Sequence, residues 1–192
     1  MTTPRILAFS GSARRDSLNK KVLSVAVLGA REAGAEVTLV DLREWPMPLY
    51  DGDLEAEQGL SETVKGFKRL MKEHDGLLLA CPEYNSSITP LLKNTIDWCS
   101  RQEPGEKPLE CFDGKVAGLV SASAGALGGL RGLVVVRMCL GNIRVHVIPD
   151  QVAVSQAHEA FDDGGSLKDA KRQAAVMAVG ARLAQVIARL RG

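Results

Sequence analysis

A loop rich in hydrogen-bond donors, residues 10–19, follows a short apolar run near the start of the chain. It reads Ser-Gly-Ser-Ala-Arg-Arg-Asp-Ser-Leu-Asn, and its side-chain donors include Ser12, Arg14, Ser17 and Asn19. A helix is predicted to begin at its end, and the free N–H groups and dipole of a helix start attract an anion. The loop lacks the Gly-Lys-Ser/Thr of a nucleotide P-loop and the three glycines of a dinucleotide fingerprint. One terminal phosphate therefore fits it better than a pyrophosphate or a triphosphate.

The same loop has a structural interpretation of about equal weight, namely a turn capped by serine and asparagine that carries surface arginines. Asp16 fits an anion site least, because a carboxylate repels a phosphate. We expect Asp16 to point outward and Arg15 to compensate its charge in part.

A second polar loop follows the most apolar segment of the chain, residues 76–81. Pro82 has no N–H group, so it ends strand pairing and directs the chain outward. Tyr84 then offers a flat apolar face with a polar tip, and Asn85 is a free polar donor. A Pro-Asn-Ser surface turn would account for the composition of this loop equally well.

A third loop, residues 121–129, consists almost entirely of serine, alanine and glycine. Small residues such as Ser123 and Gly125 let backbone N–H groups approach a planar ligand closely. We therefore expect this loop to form the close contact with any flat group that the other two loops hold.

The segments around these loops alternate between strand-like and helix-like patterns. Strands are predicted over residues 5–10, 36–41, 76–81, 116–121 and 144–148, and helices over residues 18–33, 60–74, 90–100, 127–140 and 166–191. The longer connections, 43–59 and 101–114, are predicted to be surface loops. This alternation indicates a three-layer α/β sandwich around a parallel sheet. Ligands bind such sheets beyond the carboxyl ends of the strands, which is where all three loops are placed.

The bulk composition restricts the class of protein. The chain has 192 residues, a net charge of +1 and 4% aromatic residues, so we expect one domain over residues 1–192 and neither nucleic acid nor membrane as a partner. No basic-then-apolar leader precedes the first strand, so we expect a cytoplasmic protein. Four widely spaced cysteines indicate reduced thiols and no metal cluster, and we expect three of them to be small core residues.

The three loops together resemble the NADPH-dependent FMN reductase family, which includes quinone, azo-dye and chromate reductases. The first motif is Gly11-Ser12-x-Arg14-x-x-Ser17-x-Asn19. The second runs from Pro82-Glu83-Tyr84-Asn85 to Leu92-Lys93-Asn94-x-x-Asp97-Trp98. The third is Ser123-x-Gly125-x-x-Gly128-Gly129-x-Arg131. One such loop would be weak evidence, whereas three at the matching strand ends are strong.

The resemblance implies a flavodoxin-like fold with strand order 2-1-3-4-5. It also implies FMN as cofactor, NADPH or NADH as electron donor, and ping-pong reduction of quinones, flavins, azo compounds or chromate. The cofactor-binding residues that it implies are Ser12, Arg14, Ser17, Leu18, Asn19, Pro82, Glu83, Tyr84, Asn85, Ser123 and Gly125. It requires neither a catalytic side chain nor a metal. Family members are commonly homodimers or homotetramers, and the candidate contact regions here are the 43–59 connection and the surroundings of Arg131.

Two positions depart from the pattern that we expect of the family. Thr89-Pro90-Leu91 stands where members often have Pro-Gly, and Cys81 stands where a threonine or another small residue is common. The second departure places a thiol near the expected cofactor. We expect Asn94, Asp97 and Trp98 to be structural residues beneath the second loop.

Three other classes of protein fit the sequence less well. A hydrolase with Ser123 as nucleophile lacks the Gly-x-Ser-x-Gly turn, and its histidines are predicted in a strand (His146), a solvated loop (His158) and a helix end (His74). A flavodoxin-type electron carrier without NADPH turnover tends to be strongly acidic, unlike this chain. A receiver-type signalling domain needs an acidic cluster where this chain has serine and arginine.

Overall fold

The computed structural model describes residues 2–192 and contains one five-stranded parallel sheet. Its strands are β1 (Arg5–Ser10), β2 (Glu36–Val40), β3 (Gly76–Ala80), β6 (Val116–Ala122) and β7 (His146–Val154). The order is β2-β1-β3-β6-β7, which is the predicted 2-1-3-4-5 arrangement. A separate antiparallel hairpin pairs β4 (Glu83–Tyr84) with β5 (Ser87–Ile88).

Seven helices connect or flank these strands in the described part of the chain. They are α1 (Leu18–Glu32), α2 (Gly52–Gln58), α3 (Glu62–Lys72), α4 (Pro90–Cys99), α5 (Leu130–Asn142), α6 (Ala157–Ala160) and α7 (Ala170–Arg191). Ser61 accepts a hydrogen bond from Val64 N and caps α3. Within residues 2–192, no helix is both long enough and apolar enough to cross a membrane.

The sheet is covered on both faces, because side chains alternate along each strand. Ile6 and Ala8 of β1 point toward α1 and α7. Leu7 and Phe9 point toward α3, α4 and α5. Every residue of β3 is buried, as expected of a central strand. The predicted three-layer α/β sandwich is therefore confirmed.

The last strand differs most from its prediction. It runs from His146 to Val154, six residues beyond the predicted end, and its pairing with β6 shifts between Ala117 and Leu119. Arg137 Nη1 donates to the carbonyls of Val147 (3.3 Å) and Ile148 (2.8 Å) beside this irregularity. A distant guanidinium thus satisfies the backbone that the bulge leaves unpaired, and no local pattern reveals this.

Other helices also differ from their predicted bounds, each for a local reason. Helix α5 begins at Leu130 rather than 127, because Gly128 (φ +62°) and Gly129 (φ +94°) adopt left-handed backbone first. The predicted 43–59 surface loop contains the short helix α2, capped by Asp51. His158 lies in α6 and not in a loop, although it is exposed as expected.

Buried polar residues also contribute to the fold. His74, just after α3, is buried, with Nδ1 2.7 Å from Leu70 O and Nε2 2.7 Å from Thr38 Oγ1. It joins α3 to β2 through both ring nitrogens. Three of the four free cysteines are core residues, as predicted, namely Cys81, Cys99 and Cys111.

Helices α1 and α7 cross at very close range through two glycines. A Cβ atom built on Gly180 would lie 1.9 Å from Ala26 O, and one on Gly29 would lie 2.0 Å from Met177 O. Real atoms never approach backbone so closely, so only glycine permits this contact. The helix that carries the first loop is therefore held against the C-terminal helix.

We predict that Gly180→Ala lowers the free energy of unfolding by about 2 kcal/mol or more, because the two helices must separate. Gly141→Ala is the matched control. Nothing lies within 4 Å of the added methyl group there, so stability should stay level or rise by up to about 1 kcal/mol. Urea denaturation measures both variants. Equal effects of the two substitutions would contradict the packing argument.

Candidate functional site

The loops after β1, β3 and β6 meet at the carboxyl edge of the sheet and enclose a cavity of about 240 Å³. Its walls are Ser12, Arg14, Ser17, Leu18, Asn19, Pro82, Glu83, Tyr84, Ala122, Ser123 and Ala124. Nine of the eleven residues predicted from the sequence are among them. Asn85 and Gly125 lie in the same loops but outside the cavity wall.

The first loop is positioned by its backbone and by α1. Gly11 N donates to Ala80 O (2.9 Å), which continues the pairing of β1 with β3. A Cβ atom on Gly11 would lie 2.7 Å from Leu92 Cβ, so glycine lets the loop press against α4. Ser17 caps α1 by accepting from Lys20 N (3.4 Å). Arg14 and Asp16 are exposed, and Asp16 points outward as expected.

The Asn19 side chain joins the first loop to the third. Its Nδ2 donates to Ala122 O (2.8 Å), and its Oδ1 accepts from Ala122 N (3.1 Å). Asn19 is buried, and Ala122 lies 103 positions further along the sequence. Both polar atoms of the amide are engaged, so Asn19 holds the first and third loops together, and one N–H of its Nδ2 is left beyond this pair.

Glu83 lines the cavity, but its carboxylate faces α5. Oε1 accepts from Arg131 Nε (2.9 Å) and Nη2 (2.7 Å), and Oε2 accepts from Gly132 N (2.9 Å). Burial alone would raise the pKa of Glu83, but the bonds from Gly132 and Arg131 outweigh it, so the pKa is lowered. The carboxylate is therefore ionised and fully partnered at neutral pH.

The hairpin after Glu83 explains the polar residues of the second loop. Asn85 and Ser86 have φ values of +49° and +68°, the left-handed conformation of a tight two-residue turn. Asn85 is exposed at this turn, and its residue type suits the backbone. Tyr84 is 54% exposed and presents its ring to the cavity.

The third loop is shaped by a serine that the sequence did not single out. Ser121 is buried, and its Oγ donates to Gly128 O (2.8 Å). Ser123 Oγ accepts from Gly125 N (3.2 Å). A Cβ atom on Gly129 would lie 2.9 Å from Ser121 Cβ, so the loop folds back tightly on the end of β6.

The two departures from the expected pattern have structural explanations. Thr89 caps α4 and also donates from Oγ1 to Gly11 O (2.8 Å), so it ties the second loop to the first. The Cys81 thiol donates to Leu79 O (3.7 Å), and burial raises its pKa. It lies in the core between the sheet and helices α3 to α5, next to the wall residue Pro82 but outside the cavity wall itself.

Two of the three residues expected beneath the second loop anchor the 43–51 segment. Asn94 Nδ2 (2.8 Å) and Trp98 Nε1 (2.7 Å) both donate to Pro48 O. Asn94 Oδ1 also accepts from Tyr50 N (2.8 Å). Asp97 instead pairs with Lys93 on the surface of α4.

The geometry does not support a hydrolase. His146 begins β7 at the amino edge of the sheet, opposite Ser123, and no histidine lines the cavity. Between residues 2 and 192, no cluster of three or more His, Cys, Asp or Glu side chains could hold a metal ion.

Fold and cavity define a flavodoxin-like α/β protein with a candidate ligand site at the carboxyl edge of a parallel sheet. Residues 4–159 match the NADPH-dependent FMN reductase family. An NAD(P)H-dependent FMN reductase of Pseudomonas aeruginosa is 37% identical over 189 residues, which cover 98% of this chain and 97% of that protein. A probable NADPH:quinone oxidoreductase of Oryza sativa is 34% identical and is aligned over 86% of this chain and 79% of its own length.

Solved structures show the same architecture. The flavoenzyme FerB, an NAD(P)H:acceptor oxidoreductase of Paracoccus denitrificans, superposes with a TM-score of 0.82. The match covers 97% of this chain and 98% of that one, at 24% identity, and bears on the fold alone.

The chain belongs to the NADPH-dependent FMN reductase family. It is an NAD(P)H-dependent oxidoreductase with FMN as its flavin, as its sequence motifs implied. The alternative of an electron carrier without NAD(P)H turnover is not supported.

Proposed function

We propose that FMN binds in the cavity between the three loops and that electrons pass there from NAD(P)H to a small acceptor such as a quinone. The observation that carries the proposal is the polarity of the cavity. The first loop contributes Arg14 and the start of α1 to its wall, whereas the second and third loops contribute Pro82, Tyr84 and small residues. We assign the phosphate to the first part of the wall, the phosphate end, and a flat ring to the second, the ring end.

The phosphate end has the donors that an anion requires. The N–H groups of the first turn of α1, at Leu18 and Asn19, have no acceptor within the helix. The helix dipole adds a partial positive charge there, and the exposed guanidinium of Arg14 adds a full one. Ser12 lies beside them in the wall. These groups fit a single terminal phosphate.

The ring end supplies surfaces rather than acids or bases. Ser123 and Ala124 are small and allow a flat ring to approach the backbone closely, while Tyr84 and Pro82 provide apolar contact. When bound, FMN supplies the hydride chemistry, and the protein positions and tunes it. We therefore assign no catalytic side chain. Donor and acceptor would share one open face of the ring, so ping-pong kinetics are expected.

The proposal is tested by mixing the purified protein with FMN, desalting it, and recording its spectrum and turnover. We expect retained flavin absorbance and oxidation of NADPH or NADH with parallel double-reciprocal lines. A panel of quinone, azo dye, chromate and free flavin with each nicotinamide identifies the preferred acceptor and donor. Protein that retains no flavin would refute the assignment of the cavity.

Arg14→Ala tests which end of the cavity holds the phosphate. We expect FMN affinity to fall about tenfold or more, because a charge-assisted bond to phosphate is lost. Riboflavin affinity should be nearly unchanged, because riboflavin has no phosphate. Flavin fluorescence titration measures both ligands with the same protein. Equal losses would show that Arg14 does not contact the phosphate.

We also propose that the chain forms a homodimer or homotetramer, and α5 supplies the supporting observation. Leu130, Val134 and Met138 recur at helical spacing on α5 and are 43%, 62% and 59% exposed. Such a row of apolar side chains is typical of an interface. Arg131 lies beside this row, and Leu49, 78% exposed, lies in the 43–59 connection.

Val134→Glu should shift the molecular mass in solution toward the monomer, because a charge at an apolar contact is costly. Sedimentation equilibrium measures the mass. Glu32→Gln, an exposed change of charge at the end of α1 and outside both candidate contact regions, is the control and should leave the mass unaltered. A monomeric wild-type protein would contradict the assembly.

We also propose a cytoplasmic location for the protein. Four free cysteines, three of them buried, suit the reducing conditions of the cytoplasm, which cell fractionation would test.

We propose, too, that the chain folds as one domain. Helix α7 lies beyond the family match, yet it packs on α1 and on the same sheet face. This packing supports one domain over the whole chain, for which a single cooperative unfolding transition is expected.

A further inference from the structure

Helix α5 begins beside the cavity without a cap from its own sequence. The residue before it, Gly129, has no side chain, and its φ of +94° turns the chain sharply into the helix. The first N–H groups of a helix need acceptors from outside, and its dipole favours a negative charge there. Glu83, which is 49 positions before Gly132 in the chain, supplies both the acceptor and the negative charge at Gly132 N.

The contact between Glu83 and α5 is close and specific. Gly132 has no Cβ, and an added one would lie 3.2 Å from Glu83 Cβ, so the glycine lets the carboxylate reach the backbone. Arg131 reaches the same carboxylate from the side with two nitrogens. The Glu83 side chain is 8% exposed and that of Arg131 is 57% exposed. The pair therefore lies at the boundary between the cavity and the solvent.

This arrangement leaves the carboxylate no direct role toward a ligand. Both oxygens accept bonds from α5, so Glu83 contacts the cavity with its stem and its backbone only. The same bonds hold the β4–β5 hairpin, which carries Tyr84, against the helix that follows the third loop. This side chain therefore helps to set the distance between the two loops at the ring end, together with the pairing of β3 and β6.

We propose that Glu83 is a positioning residue that docks the hairpin on α5 and that Arg131 balances its charge, so that the field at the ring end of the cavity stays near neutral. The inference rests on the proposed binding of FMN in this cavity. Two-electron reduction adds negative charge to a flavin, and nearby charges tune its electronics. Loss of either Glu83 or Arg131 should therefore shift the midpoint potential of bound FMN, in a direction set by the charge that remains.

The test uses Glu83→Gln, Arg131→Gln and the double variant, each loaded with FMN, and measures the midpoint potential by spectroelectrochemistry. Glu83→Gln leaves the arginine unbalanced, so bound FMN should become easier to reduce. Arg131→Gln leaves the carboxylate unbalanced and should make reduction harder. We expect each to change the ratio of reduced to oxidised flavin, at a given applied potential, by roughly threefold or more. The double variant should return close to the wild type.

Matched controls separate charge from damage to the structure. Glu62→Gln and Lys65→Gln remove the same charges from an exposed ion pair on α3 (3.0 Å) and should leave the potential unchanged. High salt should shrink the shift of Glu83→Gln more than that of Arg131→Gln, because the charge that remains is the exposed Arg131 in the first variant and the buried Glu83 in the second. Glutamine at position 83 keeps an acceptor for Gly132 N, so the apoprotein should retain its circular dichroism and most of its thermal stability.

Shifts of the same sign in both single variants, or no shift in either, would overturn the inference. If Glu83→Gln does not fold, Arg131→Gln alone decides, since an unchanged or raised potential contradicts the charge balance. Wild-type protein that does not retain FMN would instead refute the proposed function, so the two failures are distinguishable.

Discussion

The bidentate pairing of Asn19 with the backbone of Ala122 is the contact on which the shape of the cavity depends. β1 and β6 are not neighbours, because β3 lies between them, so backbone pairing alone cannot set the distance between the first and third loops. A buried amide that donates at 2.8 Å and accepts at 3.1 Å sets that distance from a side chain. Breaking it would leave two buried backbone groups unsatisfied, which costs far more than one net hydrogen bond.

Two further side chains complete the arrangement that Asn19 begins. Thr89 ties the second loop to the first through Gly11 O, and Glu83 ties the second loop to the helix after the third. Each loop is thereby joined to the other two. Polar groups in this region consequently divide into those already partnered within the protein and those still free. Among the wall residues, Arg14 and the first N–H groups of α1 belong to the second kind, which is why they are assigned to the phosphate.

Much of the fold was predictable because it rests on periodicity. Alternation of buried runs with helical spacing predicted the five strands, and β1 was placed to the residue, whereas the strand order came from the family resemblance. The end of β7 was not predictable, since Arg137 supports its irregular pairing from another element. Most wall residues were identified because loops at parallel strand ends must converge. The roles of Asn19 and Glu83 were missed, because their partners lie 103 and 49 positions away and residue type does not distinguish a free donor from an engaged one.

The same sheet geometry explains why the two ends of the cavity differ. Parallel strands with helical crossovers bring the starts of α1, α4 and α5 to one edge, so three positive dipole ends converge there. The starts of α1 and α4 are capped by the uncharged hydroxyls of Ser17 and Thr89, whereas that of α5 is neutralised by the carboxylate of Glu83. Arg14 adds a positive charge beside α1, and the start of α4 lies outside the cavity wall. We therefore propose that an anion in the cavity lies at the first loop and that the remainder of the ligand lies toward Tyr84 and Ser123. In that proposal the charges at the three helix starts set the orientation of the ligand.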